Sequence, residues 1–230
     1  MGISTLTDQD YNLSTALGGL THGVTPLEMV QAYGVLANGG IKVQPTAILK
    51  IVDRNGQVVE ENSIQEKRVV DEKDAAIITN MLESVINGGT GGNAAIGRPA
   101  AGKTGTTDDS KDAWFVGYTP DLVAAVWIGD DYGSETLRGI TGGDTPAIMW
   151  GQFMANALAN TPASDFSVPA SAQSAVSEGY YNPVKAQPKK EAAKDEKADK
   201  KDDKDKSKDE AVKDDSGSKD DATEQKSNSS

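Results

Sequence analysis

Ala101-Gly102-Lys103-Thr104-Gly105-Thr106-Thr107 places two glycines, one lysine and three threonines within seven residues. The glycines leave the backbone open to an approaching group, the ammonium is a fixed cation and the hydroxyls donate or accept hydrogen bonds. The combination suits an anionic ligand. Two unrelated site chemistries share these letters, and they demand different folds around them.

The first is a nucleotide-binding P-loop. Gly97-Arg98-Pro99-Ala100-Ala101-Gly102-Lys103-Thr104 matches G-x-x-x-x-G-K-[ST], and Leu122 to Asp130 resembles an apolar strand ending in an Mg²⁺-holding aspartate. A P-loop needs an apolar strand before it and a helix starting at the lysine, so that amides and helix dipole meet the phosphates. Gly88 to Ala95 before it and Gly105-Thr106-Thr107-Asp108-Asp109-Ser110 after it supply neither, and the two aspartates would oppose the phosphates. The second chemistry keeps Lys103 to Thr106 on a strand. Thr104 and Thr106 then share one side, and Gly105 leaves a gap in the wall on the other. An extended peptide can pair along such an edge while hydroxyl and ammonium hold its terminal carboxylate, and the Thr106 amide remains free for an oxyanion.

The surrounding pattern favours the strand. Ala100 to Thr107, Ala113 to Tyr118 and Leu122 to Gly129 follow one another through short turns, which predicts one antiparallel meander. Thr25, Pro26 and Glu28 form a helix start with a capping box, and Leu27, Val30, Tyr33, Gly34 and Ala37 recur at helical spacing until Asn38-Gly39-Gly40. Leu13, Leu17 and Leu20 hint at a short helix before it. Ala47 to Asp53 and Gln57 to Glu60 flank Asn55-Gly56 as a hairpin. A helix over 71 to 87 presents Ala75, Ile78, Met81, Leu82, Val85 and Ile86. Another over 146 to 159, capped by Asp144 or Thr145, presents Ile148, Phe153, Ala157 and Leu158. The expected class is α+β, an antiparallel sheet with packed helices.

Composition divides the chain. Residues 185 to 230 hold 13 Lys against 14 Asp plus Glu, no aromatic residue and only Val212 as an aliphatic larger than alanine. This predicts a disordered polyampholyte tail. Residues 161 to 184 are Pro/Ser/Ala-rich and predict a linker, onto whose partner body Tyr180 and Tyr181 are positioned to dock. The remaining 1 to 160 form the folded part. Residues 1 to 184 carry a net charge of −11, which argues against nucleic acid and anionic lipid as partners. Cysteine is absent and His22 is the single histidine, so Cys- and His-based metal sites are excluded. Asp108-Asp109 and Asp130-Asp131 adjoin turns and read as solvated acids. No cofactor and no metal are expected. Trp114, Trp127 and Trp150 lie in apolar runs and read as core or groove wall. No stretch is long and apolar enough for a membrane span, and the first 20 residues lack signal-peptide character.

Lys103-Thr104-Gly105-Thr106, followed by Asp112-Ala113-Trp114-Phe115-Val116-Gly117-Tyr118-Thr119-Pro120, resembles the third active-site motif of penicillin-binding proteins, in which K-T-G is a known signature. The stretch Ala16-Leu17-Gly18-Gly19-Leu20-Thr21-His22-Gly23-Val24-Thr25-Pro26-Leu27-Glu28-Met29 resembles class A, bifunctional members of Gram-positive type. The resemblance covers about residues 1 to 160. It implies a penicillin-binding, serine β-lactamase-like transpeptidase fold, here incomplete, and a serine D,D-transpeptidase that cross-links peptidoglycan stem peptides ending in D-Ala-D-Ala and is acylated by β-lactams. Lys103 would belong to the site's polar network, and Thr104 and Thr106 would bind the substrate carboxylate. The Thr106 amide would serve the oxyanion hole, and Gly105 would keep the wall open.

The chain departs from the family at two motifs. Ser-x-x-Lys occurs only at Ser216 to Lys219 in the tail, and Ser-x-Asn does not occur. Without nucleophile and base, acyl transfer has no first step. The chain is therefore expected to be the C-terminal part of a transpeptidase domain, inactive alone, with the missing N-terminal part of the domain as its partner. The parent protein is expected to be extracytoplasmic and membrane-anchored, and this chain cytoplasmic if expressed alone. The competing expectation is a noncatalytic module that binds cell-wall peptide or a protein partner.

Overall fold

The computed structural model describes residues 1–177; the chain divides into two units, Met1–Pro188 and Lys189–Ser230. The expected tail, and the docking of Tyr180 and Tyr181, lie outside the described residues.

The architecture is mixed α+β. Its centre is an antiparallel meander in the order β5-β6-β7, formed by β5 (Ala101–Thr106), β6 (Asp112–Tyr118) and β7 (Val123–Gly129). Its register pairs Lys103 with Val116, Gly105 with Trp114 and Thr106 with Ala113 across the first ladder. The polar turn that joins β5 to β6 is closed by Thr107, whose Oγ1 accepts from the amides of Lys111 at 2.9 Å and Asp112 at 3.0 Å. A threonine at the end of a strand can thus build the turn that reverses it.

Helices cover both faces of this sheet, and the alternation of the strands decides which residue meets which helix. Phe115, Ala124 and Val126 point to α3 (Thr145–Ala157), where Trp150, Met154 and Leu158 complete an apolar cluster. Tyr118, Ala101 and Val123 point the other way, to Tyr33 and Leu36 of α1 (Pro26–Ala37) and Ala75 and Leu82 of α2 (Glu72–Asn87). Two glycines make the first cluster possible. A Cβ on Gly117 would fall 2.9 Å from Trp150, and one on Gly102 would fall 2.8 Å from Phe115. The indole Nε1 of Trp150 donates to the carbonyls of Gly117 at 3.2 Å and Ala124 at 3.1 Å, so burial leaves its one polar atom satisfied.

Two helix faces differ from expectation. On α2 the buried residues are Ala75, Ala76, Thr79 and Ile86, while Ile78 and Met81 face outward. Thr79 is buried because its hydroxyl meets the Tyr118 hydroxyl at 2.9 Å. On α3, Ile148 and Phe153 are exposed and Trp150, Met154 and Leu158 are buried. Both sides of that helix are apolar, so periodicity alone does not choose between them.

Two strands are additional to those expected. β1 (Ile41–Val43) pairs with β4 (Glu66–Arg68) directly after α1. Gly40, at φ +92, allows that turn, since a Cβ there would lie 2.1 Å from the Val70 carbonyl oxygen. The Asn55-Gly56 hairpin is present as β2 (Lys50–Val52) and β3 (Val58–Glu61), and it is exposed on both faces. Leu13 to Leu17 form a short 3₁₀ helix whose leucines are exposed. Residues 161 to 172, expected within the linker, run along the body. Phe166 packs edge-on against Tyr118 at 5.6 Å, and Ala172 is fully buried.

The N-terminal segment is tied to α1 through one carboxylate. Glu28 accepts from the Ser4 amide at 2.7 Å and the Thr25 amide at 2.9 Å, and also from the hydroxyls of Ser4, Thr5 and Thr25. The Thr25 amide first, then the Ser4 amide, hold its pKa down at about 2. Asp10 is likewise held at about 2, first by the Thr7 amide and then by that of Thr21. Both pKa values are depressed on folding. Their stabilisation is therefore fully present above the unfolded carboxylate range of about 4 and is lost as pH falls toward 2. The melting temperature is expected to drop through that window, and in Glu28→Gln the drop should be smaller because the Glu28 titration is gone. Thermal melts followed by circular dichroism at stepped pH check this.

Candidate functional site

β5 emerges from the core as it runs. Ala101 and Gly102 are buried, Thr104 and Gly105 are half-buried, and Lys103 and Thr106 are exposed. The four site residues expected from the sequence are thus contiguous on a strand, at an edge of the meander. No helix starts at Lys103, so the backbone geometry of a P-loop is not present.

Strand alternation fixes the directions. The Thr107 amide donates to the Asp112 carbonyl at 3.1 Å, which makes that position a hydrogen-bonded pair. In an antiparallel ladder such pairs alternate. Gly105 and Lys103 therefore bond to β6, while the amides and carbonyls of Thr104 and Thr106 point to the free edge. The ammonium of Lys103 reaches the same edge, donating to the Thr104 carbonyl at 2.6 Å. Among the described residues it makes no ion pair with a carboxylate.

The side chains divide by face. Thr104 and Thr106 lie on the α3 face, while Gly105 lies on the opposite one. A Cβ on Gly105 would meet only the Trp114 Cβ, at 3.4 Å. Trp114 and Trp127 stand on that face, half-buried, with ring centroids 6.2 Å apart, and Trp127 Nε1 donates to Asp112 at 2.9 Å. They form a wall beside the gap, whereas Trp150 is core.

Two residues that sequence reasoning did not single out meet the two threonines, and a third anchors one of the loops that carry them. Thr90, in the turn after α2, places its Oγ1 2.7 Å from the Thr104 Oγ1. The Gly142 amide, in the loop before α3, donates to the Thr106 Oγ1 at 3.0 Å. Asn93 anchors that loop by donating its Nδ2 to the Gly143 carbonyl at 2.8 Å. The available signal was the Gly142-Gly143 doublet immediately ahead of a helix start.

The remaining candidates lie elsewhere. His22 is exposed in the N-terminal segment. Asp130 accepts from the amide and hydroxyl of Ser134 at 2.8 and 2.7 Å, and Asp109 pairs with Lys111 at 3.5 Å. Among the described residues no three His, Asp or Glu side chains gather as a metal site would require, and no helix is long and apolar enough to cross a membrane.

Residues 4–138 match the penicillin binding protein transpeptidase domain. Penicillin-binding protein 1A of Aquifex aeolicus is 40% identical over 157 residues, covering 68% of this chain and 21% of that protein. Penicillin-binding protein 2D of Bacillus subtilis is 41% identical over 165 residues, covering 68% of this chain and 23% of that protein. The solved structure of PonA1 from Mycobacterium tuberculosis in complex with penicillin V superposes with a TM-score of 0.63 at 33% identity, covering 70% of this chain and 46% of that one. The near-equal identities do not single out the Gram-positive type. The chain spans about a fifth of the length of the curated relatives it matches. By the family match, the strand with its K-T-G-T sequence and the fold that carries it, the chain belongs to the transpeptidase-domain family of penicillin-binding proteins, within the 1A-type class A group, and represents part of that domain.

Proposed function

We propose that this chain supplies the carboxylate-binding strand, and half of the oxyanion hole, of a serine D,D-transpeptidase that cross-links peptidoglycan stem peptides. The observation that carries the reading is the division of labour on β5. Two hydroxyls on one face, two amides at a free edge and one ammonium at the same edge fit an extended peptide ending in a carboxylate. The peptide backbone pairs with Thr104 and Thr106, and its terminal carboxylate accepts from their hydroxyls with Lys103 alongside. The Thr106 amide donates to the oxygen that gains charge when the scissile carbonyl is attacked. Gly105 keeps the opposite side open.

The nucleophile belongs to a part of the domain outside this chain, because no Ser-x-x-Lys lies within residues 1 to 177. Residues 1 to 160 then act as the C-terminal part of a domain whose other part brings serine and base, and the assembled site works on the outer side of the membrane. β-Lactams are its expected ligands, as carboxylates that acylate the serine. A fluorescent penicillin tests this. The chain alone should take no covalent label, and it should co-assemble into a labelled complex when the Ser-x-x-Lys part is supplied. Covalent labelling of this chain alone would overturn the division; no labelling of the assembled domain would overturn the transpeptidase reading.

A further inference from the structure

The threonine face of β5 is covered by a loop that makes contact at backbone distance. A Cβ on Gly142 would fall 2.3 Å from the Trp114 carbonyl oxygen and 2.5 Å from that of Gly105, and one on Gly143 would fall 2.4 Å from the Thr90 carbonyl oxygen. Only a glycine doublet lets the loop lie this flat. Its seat is held at both ends. The Gly143 carbonyl accepts from Asn93, and Asp144 turns the loop by accepting from the Thr141 hydroxyl at 2.5 Å. Held so, the loop aims the Gly142 amide at Thr106, while Thr90 meets Thr104 from the other side.

The Gly142 contact determines what the Thr106 hydroxyl does. A threonine hydroxyl has one proton to give and two lone pairs to receive with. The Gly142 amide can only donate, so the Thr106 oxygen accepts and its proton remains available to a ligand. Thr90 at 2.7 Å can do the same for Thr104. A hydroxyl that accepts one hydrogen bond donates the next more strongly. A carboxylate is an acceptor only, so a pair of preset donors suits it better than an amide terminus.

Resting on the carboxylate reading of β5, we infer that Thr90 and Gly142 are positioning residues that orient the Thr104 and Thr106 hydroxyls as a matched donor pair for a substrate's terminal carboxylate. They touch no reacting atom; they act through the two threonines.

The test uses the full chain, titrated with an N-acetylated peptide ending in D-Ala-D-Ala, once as the free acid and once as the C-terminal amide. Dissociation constants are read by NMR from the backbone amides of Thr104 and Thr106. The wild-type chain should prefer the acid. Thr90→Val should weaken the acid by roughly 3- to 10-fold and leave the amide unchanged, and Thr90→Ser should restore the preference. Gly142→Ala should act in the same direction, with Thr90→Val, an exposed site, as the variant that keeps the fold. An unchanged acid-to-amide ratio in folded Thr90→Val overturns the positioning role while leaving the carboxylate reading in place. No preference for the acid in the wild type overturns the carboxylate reading, and the positioning role with it.

Discussion

Trp150→Ala is expected to destabilise the folded unit by about 3–5 kcal/mol, enough to unfold much of a domain of ordinary stability. The side chain is fully buried, packs on Phe115 with ring centroids 5.2 Å apart, and fills the space left by Gly117. Its removal opens a cavity between α3 and the sheet, and also strips the carbonyls of Gly117 and Ala124 of the indole donor. The two losses act at one place and in one direction. Urea denaturation followed by circular dichroism measures the change. A cost below about 1 kcal/mol would mean that α3 does not hold the sheet as described. Trp150→Phe should recover most of the packing and none of the hydrogen bond, which separates the two contributions.

Lys103→Met is expected to weaken binding of a D-Ala-D-Ala peptide acid by about 10- to 100-fold, the worth of one charge-assisted hydrogen bond. Methionine keeps the length and the apolar stem, so stability should hardly change; the native ammonium is exposed and its one partner among the described residues is the neighbouring Thr104 carbonyl. The amide-ended peptide should lose far less. Titration of both peptides against wild type and variant gives the answer, and equal losses for acid and amide would remove Lys103 from carboxylate recognition.

Much of this fold was legible from local chemistry. Thr25, Pro26 and Glu28 announce α1, and the structure forms both halves of their capping box. The meander was readable because each of its turns is short and β6 and β7 are apolar, so that β5 pairs with β6 alone among the described strands. What escaped depended on partners distant in sequence. β1 and β4 are three residues each, Ile-Lys-Val and Glu-Lys-Arg, and become strands only by pairing with each other. The buried side of α3 is chosen by the shape of the sheet, where Gly117 admits a tryptophan but nothing admits Phe153.

The site divided in the same way. Lys103 to Thr106 could be singled out as a candidate because their chemistry is dense within four residues. Thr90 and Gly142 could not, being 14 and 36 residues from the threonines they meet. A hydroxyl in a glycine-rich turn and a glycine before a helix are ordinary in isolation. They meet the strand only when the fold brings two loops over it.

The burial of β5 along its length has a mechanical consequence. Its first two residues are gripped between two cores, at Phe115 on one face and Tyr118 on the other, and its last four project beyond that grip. Beyond that grip the strand is held by its ladder to β6, and the Gly142 loop is the stay that steadies its far end. The spacing of the two hydroxyls therefore depends on how stiff the grip is and how taut the stay. A change in the deep core can detune the tip without touching it, and stiffness becomes a property of the site as much as charge is.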